Sequence, residues 1–145
     1  MENARKILNE LLVDMFNHIL VLEEKNLQDK GVKLSMSEVH TLENIQKSET
    51  KTMSDVARLS LVTQGTLTVA VNRLEEKGYI IRSKDKQDRR LVRLQLTQAA
   101  LDVLKIHDKF HEEMIDSFIS DLNIHEDVNL IRSLEKIMDY FRQNY

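Results

Sequence analysis

Apolar positions recur at helical spacing from the start of the chain. Leu8, Leu11, Leu12, Met15, Ile19 and Leu22 form one stripe over residues 4–27, widened by Phe16 and Leu20. They predict a long first helix whose apolar face is broad enough to meet both its own core and another subunit. Gly31 breaks the chain nearby. In "SMSEVHTLENIQK", Val39, Leu42 and Ile45 give a second helix, with Ser35 or Ser37 as its cap. "TMSDVARLS" reads as a short third helix that opens on Thr52 and Asp55 and turns Met53, Val56 and Leu59 inward. A fourth helix runs from Thr63 to Lys77, buries Leu67, Ala70, Val71 and Leu74, and ends at Gly78, which permits a left-handed cap.

The period then changes from helical to alternating. "YIIRS" and "LVRLQLT" read as two strands, with Val92, Leu94 and Leu96 on one side and Leu91, Arg93 and Gln95 on the other. "KDKQDRR" between them is too polar to pack. Thr97 caps a fifth helix reaching about Phe118, with one stripe of Leu101, Leu104, His111, Ile115 and Phe118 and another of Ile106, Phe110 and Met114. "LNIHEDVNLIRSLEKIMDYFRQNY" follows as a sixth helix on Val128, Ile131, Leu134, Met138 and Phe141. The fold class is therefore mainly α with a small β wing. Helices one, five and six carry apolar faces outside the compact centre, and a two-fold dimer buries them; a self-contained helical monomer is the alternative.

Charge changes this picture. The 145 residues carry a formal net charge of -3, unevenly divided. Residues 1–50 hold six basic and nine acidic side chains, residues 51–97 hold ten and five, and residues 98–145 hold five and ten. A basic centre between acidic ends points to a local anionic partner, although an ordinary patchy surface gives the same count. No Cys excludes disulfides and thiolate chemistry, and only three Gly and no Pro suit a largely helical chain. The opening lacks a signal-peptide pattern and no apolar run reaches 18 residues, so a cytoplasmic protein with no membrane partner is expected. No GxSxG elbow or Gly-rich phosphate loop is present, and an enzyme is not expected.

The outer face of the fourth helix carries Gln64, Thr66, Thr68, Asn72 and Arg73, short hydrogen-bonding side chains that fit a major groove. Beside it the ribbon carries Lys84, Lys86, Arg89 and Arg90, suited to phosphate and the minor groove. Asp88 lies close enough to hold a neighbouring guanidinium in place. Ser54, Thr63, Gly65 and Arg82 complete the candidate DNA contacts. A helical interaction protein would explain the amphipathic helices, but not this polar face beside a basic ribbon.

The run "MSDVARLSLVTQGTLTVAVNRLEEKGYIIRSKDKQDRRLVRLQLT" resembles the winged helix-turn-helix core of MarR-type transcriptional regulators. The likeness rests on Asp88, Arg90 and Leu96-Thr97 in the wing and on "NRLEEKGYI" after the reading helix. Long terminal helices are also typical of that family, so the resemblance covers nearly the whole chain. It implies one domain over 1–145, with a DNA-binding core at 35–97 and dimerisation helices at 4–30 and 98–145. Within the family, "FNHILVLEEKNL", "SMSEVHTLENI", "LVTQGTLTVAVNRLEEKGYI", "QDRRLVRLQLT" and "HDKFHEEMI" are similar to the branch that represses fatty-acid biosynthesis genes in streptococci, enterococci and lactococci. "LTQAAL" departs from the pattern, since many relatives carry Gly at about Ala100.

The resemblance implies a homodimer on a pseudo-palindromic operator, with helix four in the major groove and the Arg89–Arg90 wing in the adjacent minor groove. It implies no cofactor, but a corepressor: an acyl chain on acyl carrier protein that strengthens DNA binding. Many relatives instead leave DNA when a small aromatic ligand binds. Met15, Phe16, Ile19, Val39, Leu42, Phe110 and Met114 are candidates to line an acyl tunnel, and read on their own as core or dimer core. Arg5, Lys6, Arg58 and Lys105 are candidate contacts for the acidic carrier. His107 and His111 share a helix face, which His18 and His40 can join; with no Cys, core or hydrogen-bonded histidines are expected and no metal site.

Overall fold

Left-handed backbone at Gly31 (φ 79°) and Gly78 (φ 81°) marks two helix ends where the chain turns back. The computed structural model describes residues 1–144. Before Gly31 the chain is one helical run: α1 (Glu2–Asn9), a π-helical stretch (Glu10–Met15) and α2 (Phe16–Asp29). The periodicity predicts the run but not the wide turns in its middle. Next come α3 (Met36–Lys47), α4 (Met53–Leu59) and α5 (Gln64–Glu76), then β1 (Ile80–Lys84) paired antiparallel with β2 (Val92–Leu96), α6 (Gln98–Leu122), a 3-10 turn (Ile124–Glu126) and α7 (Val128–Asn144).

Hydroxyl caps start the three central helices. Ser35 Oγ accepts the Glu38 N–H at 3.3 Å while the Glu38 carboxylate accepts the Ser35 N–H at 2.9 Å, a reciprocal capping box. Thr52 accepts from Asp55 N–H at 3.3 Å and Thr63 from Thr66 N–H at 3.2 Å. Glu38 also receives Lys77 Nζ at 2.7 Å, tying the start of α3 to the end of α5. Burial pushes the Glu38 carboxyl up, but Lys77 and Ser35 outweigh it and hold the pKa below the ordinary value.

Two compact units divide the chain, Met1–His107 and the remainder from Asp108. The first holds the core. Leu27, Val39, Leu42, Ile45, Val56, Val71 and Leu74 are wholly buried, with Ile80, Leu94, Ala100 and Leu104 beside them. Leu94 is the buried position of β2, as alternation requires, while Val92 and Leu96 are half-buried. Ala100 is fully buried in the first turn of α6. In the second unit the expected sixth helix does not begin at "LNIHED": between α6 and α7 residues 123–127 form a turn with 3-10 geometry at Ile124–Glu126. Asn123 adopts a left-handed φ of 49°, which Asn tolerates, and Asp127 Oδ1 accepts the Leu130 N–H at 3.0 Å and opens α7. No residue of α7 is buried. Among the described residues, no helix is long and apolar enough to cross a membrane.

Candidate DNA-binding surface

The turn between α4 and α5 sets the reading helix. Leu61 takes a left-handed φ of 54°, its N–H bonds Arg58 O at 3.2 Å, and the Val62 N–H bonds Ala57 O at 3.1 Å. This closes α4 with a double-bonded cap and turns the chain in two residues. From Thr63 onward, α5 buries Leu67, Val71 and Leu74 and exposes Gln64, Gly65, Thr66, Asn72 and Arg73, with Thr68 half-buried. Its hydroxyls are already partnered. Thr63 and Thr66 lie 3.0 Å apart, and Thr68 donates to Gln64 O at 2.7 Å.

Arg82 ties the wing to this helix. Its guanidinium donates to Asn72 Oδ1 and pairs with Glu75 at 3.3 Å. Asn72 and Arg82, both candidate DNA contacts, are thus placed against each other at the junction of α5 and β1.

The wing tip is built on Asp85. Its Oδ1 accepts the N–H groups of Gln87 at 2.8 Å and Asp88 at 3.0 Å, and its Oδ2 accepts Arg93 Nε at 2.6 Å. The Asp88 N–H, Arg93 and the Gln87 N–H together hold the Asp85 carboxyl down to about 2. The guanidinium fixed here is therefore that of Arg93, held by Asp85. Asp88 does not do this work: its Oδ1 accepts the backbone N–H of Arg90 at 3.0 Å. The expectation that Asp88 holds a neighbouring guanidinium is corrected, because an Asp two residues before an N–H closes an Asx turn at short range. Both carboxylates are occupied in shaping the tip, and Lys84, Lys86, Arg89 and Arg90 stand exposed around it.

The wing root is sewn to the loop before α4. Arg93 donates to Thr50 O, the Leu94 N–H bonds Lys51 O at 2.8 Å, and Thr52 bridges Arg93. Lys51 has a left-handed φ of 55°, and its Nζ bonds Ile45 O, Gln46 O and Ser48 O at 3.1–3.3 Å, capping α3. The result is a groove of about 320 Å³ lined by Thr52, Ser54, Gln64, Thr68, Arg90 and Val92. It brings together four candidate contacts, Ser54, Gln64, Thr68 and Arg90, from three elements. Asp85 and Arg93 are absent from the sequence-derived set; their i, i+8 spacing across a hairpin tip was the available signal.

Asp85→Asn therefore loosens the tip. Trypsin is expected to cut at Lys86, Arg89 and Arg90 several-fold faster in the variant, with little change in melting temperature. The Asp85 pKa is lowered from 3.8 to about 2, so its contribution is complete above about 4 and is lost as pH falls through 2. Amide exchange at the Gln87 and Asp88 N–H groups, which Asp85 holds, should become equal in wild type and variant at that acid end.

A second cavity, about 380 Å³, lies under α5 and is lined by Phe16, Leu20, Met36, His40, Thr66 and Leu67 among others. Of the seven acyl-tunnel candidates only Phe16 lines it. Val39 and Leu42 are wholly buried core, Ile19 is half-buried, and Met15 is exposed. Phe110 and Met114 are half-buried and belong to the second unit. Arg5, Lys6, Arg58 and Lys105 are all exposed; Lys6 faces Glu10 at 3.8 Å and Arg58 donates to Asp55 at 2.7 Å. His18 Nδ1 bonds Asp14 O at 3.1 Å. His40, Glu43 and His107 offer three donor atoms within 4.8 Å of one another, the residues of the first unit able to hold a cation, and the two rings meet edge-on at 5.8 Å. Glu43 is engaged by Lys47 at 2.6 Å. Burial pushes its carboxyl up, while Lys47, His107 and His40 hold it below the ordinary value.

Residues 34–92 match the model of the MarR family. FabT of Streptococcus pneumoniae, solved in complex with DNA, is 34% identical, with 97% of this chain and 99% of that one covered and a TM-score of 0.89. The regulator BldR of Sulfolobus solfataricus is 26% identical over 97% of this chain and 98% of its own, with a TM-score of 0.68. The regulator SarZ of Staphylococcus haemolyticus is 27% identical over 94 residues, 65% of this chain and 63% of SarZ. The match thus spans under two thirds of the length of that curated relative.

Proposed function

As a member of the MarR family, to which this chain belongs, the protein is a DNA-binding transcriptional regulator rather than an enzyme, and we propose that it is a dimeric repressor of fatty-acid biosynthesis genes. The observation that carries this reading is the full-length likeness to FabT, a protein seen on DNA. The groove between α4, α5 and the wing supports it with chemistry: hydroxyls, an amide and an arginine face one opening. Two such heads, joined across the apolar helices, fit a pseudo-palindromic operator with half-sites about one helical turn apart. Each head sets α5 in the major groove and the Arg89–Arg90 tip in the neighbouring minor groove.

The proposed signal is a long acyl chain delivered by acyl carrier protein. A chain inserted beneath α5, where Phe16 and Leu20 meet Thr66 and Leu67, changes the relative stability of head positions and thereby operator affinity. Loaded carrier is expected to tighten operator binding by about tenfold or more at matched salt. Fluorescence anisotropy with free carrier, acylated carrier and no carrier measures it. Equal affinity in all three removes the corepressor, and weaker binding with acyl carrier reverses its sign.

A further inference from the structure

We propose that Val69 reads the C5-methyl group of a thymine in the operator, and is a specificity-determining residue of the reading helix. This rests on the DNA-binding reading above. With 100° per residue, Leu67, Val71 and Leu74 define the buried line of α5, and Val69 falls on the opposite side. It is 52% exposed, whereas the three buried residues are at most 1% exposed. A β-branched side chain in an exposed helix interior loses rotamer freedom and gains no packing in return.

Gly65, one turn earlier on the same outer line, is the other local misfit. Its backbone is not left-handed, and a Cβ there would meet only Thr63 Oγ1 at 3.8 Å. Neither residue is required by the fold, and local rules broken without a folding reason mark functional positions. Gly65 places no side chain beside the exposed Val69. Several polar groups around it are engaged, Thr63 with Thr66, Thr68 with Gln64 O, and Asn72 Oδ1 with Arg82, while Arg73 stands exposed one turn on. Between Gly65 and the polar residues of the next turn, the outer line of the helix offers the two exposed methyl groups of Val69. On the major-groove edge of the four bases, the thymine methyl is the apolar group that matches.

The test uses the full-length protein and an operator selected from a random duplex pool, with each thymine replaced singly by deoxyuridine. For the wild type, one substitution per half-site should lower affinity about fourfold, the worth of one buried methyl. Val69→Ala should lose about as much on the intact operator and be indifferent to that same deoxyuridine. Val69→Thr, which keeps one methyl, should fall between, and circular dichroism should show all three equally helical. A wild type indifferent to every deoxyuridine, or a Val69→Ala protein that keeps the wild-type sensitivity, overturns the proposal and leaves the DNA-binding reading intact. Selection that enriches no sequence overturns that reading and this one with it.

Discussion

Leu134→Asp should yield a monomer whose operator affinity is about a hundredfold or more lower, because in the proposed dimer the second head binds as a tethered partner. The cause is visible along α7. Val128, Ile131, Leu134, Met138 and Phe141 repeat at helical spacing, yet every one is exposed, Leu134 by 45%. The N-terminal run has the same character: Leu8, Leu11, Leu12 and Met15 lie in solvent, Leu12 at 51%. Contiguous apolar surface of this kind marks an interface. A carboxylate placed in it must be desolvated without a partner, which an interface does not tolerate. Leu12→Asp should act in the same direction through the other surface. Sedimentation equilibrium with operator titration reads both quantities. A variant that stays dimeric, or a monomer with undiminished affinity, contradicts the two-headed arrangement.

Arg90→Ala should weaken binding to the operator and to unrelated duplexes by the same factor, on the order of tenfold at low salt. Arg90 is held at its backbone by Asp88 and lines the groove beside Gln64 and Thr68. A phosphate or minor-groove contact carries affinity with little sequence information. The slope of log affinity against log salt should accordingly become shallower by about one unit for each phosphate no longer neutralised. Weakening confined to the cognate operator would instead make Arg90 a base reader.

Short-range chemistry was legible in the sequence. Ser35 or Ser37 before "EVH", Thr52 with Asp55, and Gly78 after a charged last turn each point to a helix end, and the structure uses Ser35, Thr52 and Gly78. The strand alternation that buries Leu94 was equally plain. What escaped depends on folding over distance. Nothing in "KDKQDRR" says that Asp85 rather than Asp88 takes a guanidinium, because the partner, Arg93, arrives only once the hairpin closes. Arg82 reads from the sequence as a candidate DNA contact, and only the placement of β1 brings it against Asn72 and Glu75 on α5. The same limit affected the tunnel candidates: periodicity identifies Val39 and Leu42 as apolar and inward, but cannot separate a packed interior from a lined cavity. Asn123 escaped because a single left-handed Asn leaves almost no trace in hydropathy.

The stitching of the wing root has a mechanical consequence. Arg93 is anchored at both Asp85 and Thr50, and β2 is pinned to Lys51 by its own backbone. Tip, hairpin and the entry to α4 are therefore tied together into one bracket. A bracket of that kind cannot be switched by flapping its end. In the proposed two-headed arrangement, a signal would act by tilting the whole gripping piece, and a small angular error at one jaw would spoil the fit of both.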